Sequence, residues 1–231
     1  MRFLFILLVL LTGFTAKSQQ ENKFATPWFG MLGFHTNTTE YNSGENTVKA
    51  PLTYADCRAV MFLSKGYIEW GLPVATYFLT GLIANGNVQN DIGEVSFLYG
   101  KLGGDIIKTE ILKIGLGGSI DARGINVDGI VGYGASLESY GTISPMIYAK
   151  INLGPFLIAP VFEYNVLSWT NTEKTTRPGF SIGSHVIIPV GKRMGINFNP
   201  AFEKGKFKSE QSNMESSNLS FKLGIVRKIG G

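Results

Sequence analysis

Two histidines, His35 and His185, are the chain's imidazoles, and Ser184 directly precedes the second. A serine beside a histidine raises acyl-transfer chemistry, in which the ring must accept the hydroxyl proton. Neighbours on an extended strand point to opposite faces, so Ser184 and His185 cannot cooperate there. A spacing of two would put both groups on one face. Instead His185 is followed by Val186-Ile187 and His35 by Thr36-Asn37. The expectation is therefore no catalytic residue and no enzyme, with a lipid hydrolase or acyltransferase as the alternative. Cys57 is the single cysteine, which leaves no partner for a disulfide, a redox pair or a metal site. Gly115-Leu116-Gly117-Gly118 and Gly132-Tyr133-Gly134 lack the lysine and the helix that a nucleotide loop needs. No metal and no cofactor is expected.

The elements that carry these residues repeat with a period of two. Phe180-Ile182-Ser184-Val186-Ile188-Val190, Ile196-Phe198-Pro200-Phe202 and Leu219-Phe221-Leu223-Ile225 each place apolar groups on one strand face. The opposite faces carry Asn197, Asn199, Ala201 and Glu203, then Ser220, Lys222 and Gly224. Strands are expected near 27–36, 57–65, 67–80, 93–106, 111–122, 143–153, 155–167, 179–190, 194–203 and 218–228. Residues 129–137 offer a further strand, and Tyr54 to Ser64 a short helix, since its apolar residues do not alternate cleanly. Pro145, Pro160, Pro189 and Pro200 fall inside expected strands, where each removes a ladder hydrogen bond, and bulges near the rims are the expected account.

Length, composition and charge narrow the class. Met1-Arg2, the apolar run Phe3 to Leu11 and the small-residue exit Ala16-Lys17-Ser18 read as a cleaved secretory signal, residues 1–18. The run is shorter than the about 20 residues a spanning helix needs. Residues 19–231 then form one domain. Lys and Arg number 21 against 17 Asp and Glu, and Arg2 and Lys17 leave with the signal, so nothing points to nucleic acid. Charged residues make up 16% and hydrophobic residues 44%, against about 25% charged in soluble domains. Beyond the signal no apolar run is long enough for a helical span. Dispersed hydrophobicity of this kind suits a strand wall whose apolar face meets lipid. The 29 glycines, several inside strands, suit a curved sheet.

The links alternate in length, which orders the strands. Tight links fall at Ser64-Lys65-Gly66-Tyr67, Ile107-Lys108-Thr109-Glu110, Leu153-Gly154-Pro155-Phe156 and Gly191-Lys192-Arg193. Longer polar links fall at 37–56, 81–92, 123–142, 168–178 and 204–217. Signal, alternation and loop rhythm together resemble bacterial outer-membrane β-barrel proteins, over nearly the whole mature chain. Many of those end on an aromatic residue, whereas this sequence ends Arg227-Lys228-Ile229-Gly230-Gly231.

The resemblance implies an all-β, up-and-down antiparallel transmembrane β-barrel of about ten strands, within a range of about eight to 12. It implies outer-membrane lipid and the barrel-assembly machinery as partners, and a structural, narrow-channel or porin-like role. The alternative is a soluble exported barrel that binds an apolar ligand. Trp28, Trp70, Trp169, Phe156, Phe180 and Tyr164 are expected in interfacial girdles. The inward polar set, the candidate lumen, is His35, Glu69, Lys113, Asp121, Lys150, Glu163, His185, Asn197, Asn199, Glu203 and Lys222. In so narrow a barrel these charges are expected to pair and fill the interior.

Overall fold

A computed structural model of the chain describes residues 28–42, 47–56, 58–71, 93–126, 137–170, 178–208 and 213–228. The expected signal, residues 1–18, lies outside them, as does most of 129–137. Twelve strand segments follow one another: β1 (Trp28–Asn42), β2 (Thr47–Asp56), β3 (Arg58–Phe62), β4 (Gly66–Gly71), β5 (Gly93–Lys108) and β6 (Leu112–Asn126), then β7 (Leu137–Leu153), β8 (Phe156–Asn165), β9 (Leu167–Thr170), β10 (Gly179–Pro189), β11 (Met194–Lys208) and β12 (Asn213–Lys228). Segments β2 and β3 both pair with β1 and form one pass. Segments β8 and β9 likewise share β7. The sheet is thus an up-and-down antiparallel one of ten passes, and β12 pairs back onto β1 from Trp28↔Lys228 to Asn42↔Glu215. Through that pairing the described strands close into a nearly complete barrel.

Four tight links share one end. Leu63 N–H donates to Gly66 O at 3.0 Å, and Val190 N–H to Met194 O at 3.0 Å. The Thr109 hydroxyl donates to Leu112 O and accepts from Leu112 N–H, which clips the third link. In the fourth, Gly154 adopts φ 61°, a left-handed conformation that favours glycine.

Several strands run further than their alternation suggests. Residues 37–42 continue β1 and 47–56 form β2, so 37–56 is mostly hairpin and not a polar loop. Residues 204–208 and 213–217 form a second such hairpin, and 123–126 with 137–142 extend β6 and β7. Tyr54 to Ser64 holds strand segments β2 and β3 and no helix. Of the expected strand 67–80, residues 72–80 lie outside the described set.

The prolines fall where pairing is already broken on one side. Pro145 sits where the β7 ladder jumps from β9 to β8. Pro160 and Pro200 sit in gaps of the β7–β8 and β10–β11 ladders, and register is unchanged across both gaps. Bulges therefore do not explain those two. A missing N–H is tolerated where no ladder bond is drawn.

The wall is apolar outside. Phe34 (68% exposed), Leu102 (64%), Ile182, Leu219, Leu223 and Ile225 all face away from the lumen. Inside, a dry cluster joins Trp28, Val60, Phe62, Tyr67, Met146, Tyr148, Leu157, Ala159, Val161, Ile187 and Val226 towards the tight-turn end. Trp28 is therefore not a girdle residue. A bulge between Gly30 and Leu32 reverses the parity of β1 and turns the indole inward, 5% exposed. Trp70, Trp169 and Tyr164 do face outward. Gly115 and Gly117 point inward, and a side chain at either would collide with Tyr148 or Met146 and also with the β5 backbone, at Gly104 O or Leu102 O. These two glycines make room both for large neighbours and for the close approach of β5.

Candidate functional site

The lumen above the dry cluster is polar and centred on Glu69 of β4. Tyr67 two residues earlier points the same way and donates its hydroxyl to Glu69 Oε2. Tyr99 of β5 donates to the same oxygen at 3.2 Å. His185 Nε2 lies 3.3 Å from it and 3.1 Å from the Tyr67 hydroxyl. Asn197 Nδ2 reaches His185 Nδ1 at 3.1 Å. Arg58 Nη1 donates to Glu69 Oε1 at 3.3 Å, and its guanidinium lies 4.1 Å from the Tyr99 ring centroid. Four strands thus converge on one carboxylate, and a fifth, β11, reaches it through His185. A buried carboxylate is tolerated only when neighbouring donors replace its water.

A second network lies further from the tight turns. Arg123 of β6 donates to Asp121 Oδ2 at 2.6 Å and to Glu203 Oε2 at 2.7 Å, bridging β6 to β11. Lys101 of β5 pairs with Glu163 of β8. His35, Asn199, Lys222, Asn218 and Ser220 complete the wall of a polar cavity that both networks share. A second cavity continues from it towards Val60 and Val226. Ser144 donates to Asn165 Oδ1 at 2.7 Å.

At the tight-turn end the arrangement differs. Lys150 is wholly buried and donates to Leu63 O at 2.8 Å, Gly66 O at 2.9 Å and Asp105 Oδ2 at 2.8 Å. Tyr148 donates to Asp105 Oδ1 at 2.8 Å, and Lys113 to Ser64 O at 2.8 Å. These two lysines tie β6 and β7 across the lumen to the first tight link.

The sequence-derived set thus divides. Glu69, His185 and Asn197 meet in the central cluster. Asp121 and Glu203 meet at Arg123, and Glu163 pairs with Lys101. Lys113 and Lys150 lie apart at the tight-turn end. His35, Asn199 and Lys222 line the main cavity. Four partners escaped the sequence. Arg58 lies in the segment that reads as a helix, and Arg123 in one that reads as loop. Tyr99 and Lys101 lie in β5, whose alternation is broken by bulges at Ser96/Leu98 and Asp105/Ile107.

Chemically, Glu69 and His185 form an acid–base pair locked by phenols and an amide. Ser184 faces the outer wall, away from His185, as strand geometry requires. Among the described residues no group of three His, Cys, Asp or Glu is placed to hold a metal.

No protein-family model matches the sequence, and no curated protein matches it. Among solved structures it is similar to the outer membrane protease OmpT from Escherichia coli, at 8% identity over 88% of this chain and 95% of that one, TM-score 0.39. It is similar too to outer membrane protein OprG from Pseudomonas aeruginosa, at 8% identity over 90% and 97%, TM-score 0.36. Neisserial surface protein A shares 11% identity over 88% and 97%, TM-score 0.30. At such scores the barrel assignment stands on this chain's own strand pairing.

Proposed function

We propose that this chain is an outer-membrane β-barrel with a structural role, whose lumen is filled by its own side chains and is closed to diffusion. The observation that carries the reading is the inversion of its two faces. Charged and amide groups are buried inside while large aliphatic and aromatic groups are exposed outside. In water that exterior would be a large aggregating surface, and in lipid it is the stable arrangement. A soluble barrel holding an apolar ligand would have the faces the other way round.

Closure rests on the dry cluster. Phe62, Tyr67, Tyr148 and Ile187 span the lumen towards the tight-turn end, and the Lys150–Asp105 pair lies beside them. The polar cavity sits above this layer, away from the tight turns. A barrel of eight to ten strands is narrow enough for side chains to fill.

The purified protein should migrate heat-modifiably from detergent-extracted membranes and give no stable conductance steps in planar bilayers. The triple variant F62A/Y148A/I187A, which empties the plug, should give steps. Regular steps from the unaltered protein would overturn the closed lumen. Recovery in the soluble fraction without detergent would overturn the membrane barrel.

A further inference from the structure

The tight-turn rim carries one concentrated charge. Lys192 and Arg193 form the β10–β11 link, and Arg227 and Lys228 end β12. The strands bring three of these together. Met194 is the ladder partner of Arg227, and Lys228 N–H donates to Arg193 O at 2.9 Å. Lys192, Arg193 and Arg227 therefore occupy two adjacent strand ends and are all exposed, whereas Lys228 turns to the inner face, its ammonium 5.2 Å from the Trp28 ring centroid.

Their height on the wall identifies the ligand class. On β12 the outward face changes from Ile225, 57% exposed, to Arg227 in one step, about 7 Å along the strand. Val190 and Met194, both exposed, mark the same boundary on the neighbouring hairpin. The cations thus sit where hydrocarbon gives way to headgroups. Arginine binds phosphate oxygens in bidentate fashion, and clustered cations beside an apolar surface attract anionic lipid.

We propose that Lys192, Arg193 and Arg227 form a binding site for the phosphate of an anionic phospholipid on the tight-turn side of the membrane. The proposal rests on the membrane-barrel reading above. It fixes which face of the barrel selects its lipid, since β-barrels keep their short turns on the periplasmic side.

The test is native mass spectrometry of the full protein in non-ionic detergent, titrated with phosphatidylglycerol or with phosphatidylethanolamine. Phosphatidylglycerol should bind about tenfold more tightly, on the scale of a few surface cations acting together. The preference should fall at least threefold in R193Q/R227Q, by the loss of two of the three charges, and about twofold in K192Q, by the loss of one. Both variants lie on the rim, so either one remains informative should the other not fold. Equal binding of the two lipids, or a preference unchanged in both variants, overturns the site. Displacement of phosphatidylglycerol by an equal concentration of inorganic phosphate overturns it as a lipid site. Heat-modifiable migration of the same samples separates the two proposals. An intact barrel without lipid preference sinks the rim site alone, whereas a protein that needs no detergent sinks the barrel itself.

Discussion

The two halves of the lumen hold buried charge in opposite ways. Near the tight turns, Lys150 and Asp105 are enclosed by aromatic and aliphatic groups, and the side chains of both are 0% exposed. Further from the tight turns, Arg123, Asp121, Lys101 and Glu163 border a polar cavity, and their side chains keep between 8% and 18% of their surface accessible. An ion stranded in a dry site keeps its full desolvation cost, whereas one stranded beside a polar cavity with room for water can be rehydrated. One half should therefore behave as a rigid plug and the other as a tolerant polar lining.

The sharpest contrast comes from removing one lysine in each half. Lys150→Met leaves the Asp105 carboxylate buried without its counter-ion and takes one donor from each of Leu63 O and Gly66 O. It should destabilise the barrel by about 3–5 kcal/mol, the usual cost of breaking a buried pair. The double variant K150M/D105N removes the stranded charge and should regain much of that loss. Lys101→Met in the polar half should cost about 1–3 kcal/mol, the range for a lost polar partner. Denaturant unfolding followed by heat-modifiable migration measures all three. Equal losses for K150M and K101M would remove the distinction between the halves.

The plug can also be tested by volume. A methyl group at Gly115 would enter the space of the Tyr148 ring, so Gly115→Ala should cost about 1–3 kcal/mol, typical of overpacking. Combining it with Tyr148→Leu should restore part of the loss, because the ring is one of the two groups the methyl meets, the other being the Gly104 carbonyl oxygen. A fully additive double variant would show that Gly115 acts through the backbone instead.

The same division decides how much the sequence reveals. Alternation is clear in β10, β11 and β12, where one face meets the apolar exterior and the other the polar lumen. It disappears in Thr36 to Asn42 and in 204–208, because beyond the apolar belt both faces of a strand are polar. Those segments therefore read as loops although they are laddered. In β8 the signal fails for the opposite reason. Leu157, Ala159 and Val161 face inward into the plug, so both faces are apolar. Bulges cause the remaining errors, since one extra residue reverses every later side chain. Trp28 and the pair Tyr99 and Lys101 both illustrate this. Ion-pair partners such as Arg123 with Glu203, separated by 80 positions, depend on barrel closure and leave no local trace.

The smallest effect belongs outside the lumen. Lys204, Lys206 and Glu215 face outward beyond Phe202 and Leu219, where the apolar belt ends. Lys206 Nζ lies 2.5 Å from Glu215 Oε1, and its hydrogen bond and charge hold that carboxyl below its usual range. A depressed carboxyl contributes stability above its unfolded value and loses it as pH falls through the folded one. The contribution should therefore be complete at neutral pH and fade on acidification. The group is fully exposed, however, and water and salt screen such pairs. Glu215→Gln should leave the unfolding midpoint unmoved at physiological salt, with only a slight loss at low ionic strength and neutral pH. A large, salt-independent loss would mean that this rim is shielded from water, and would extend the dry regime of the plug to the opposite end of the barrel.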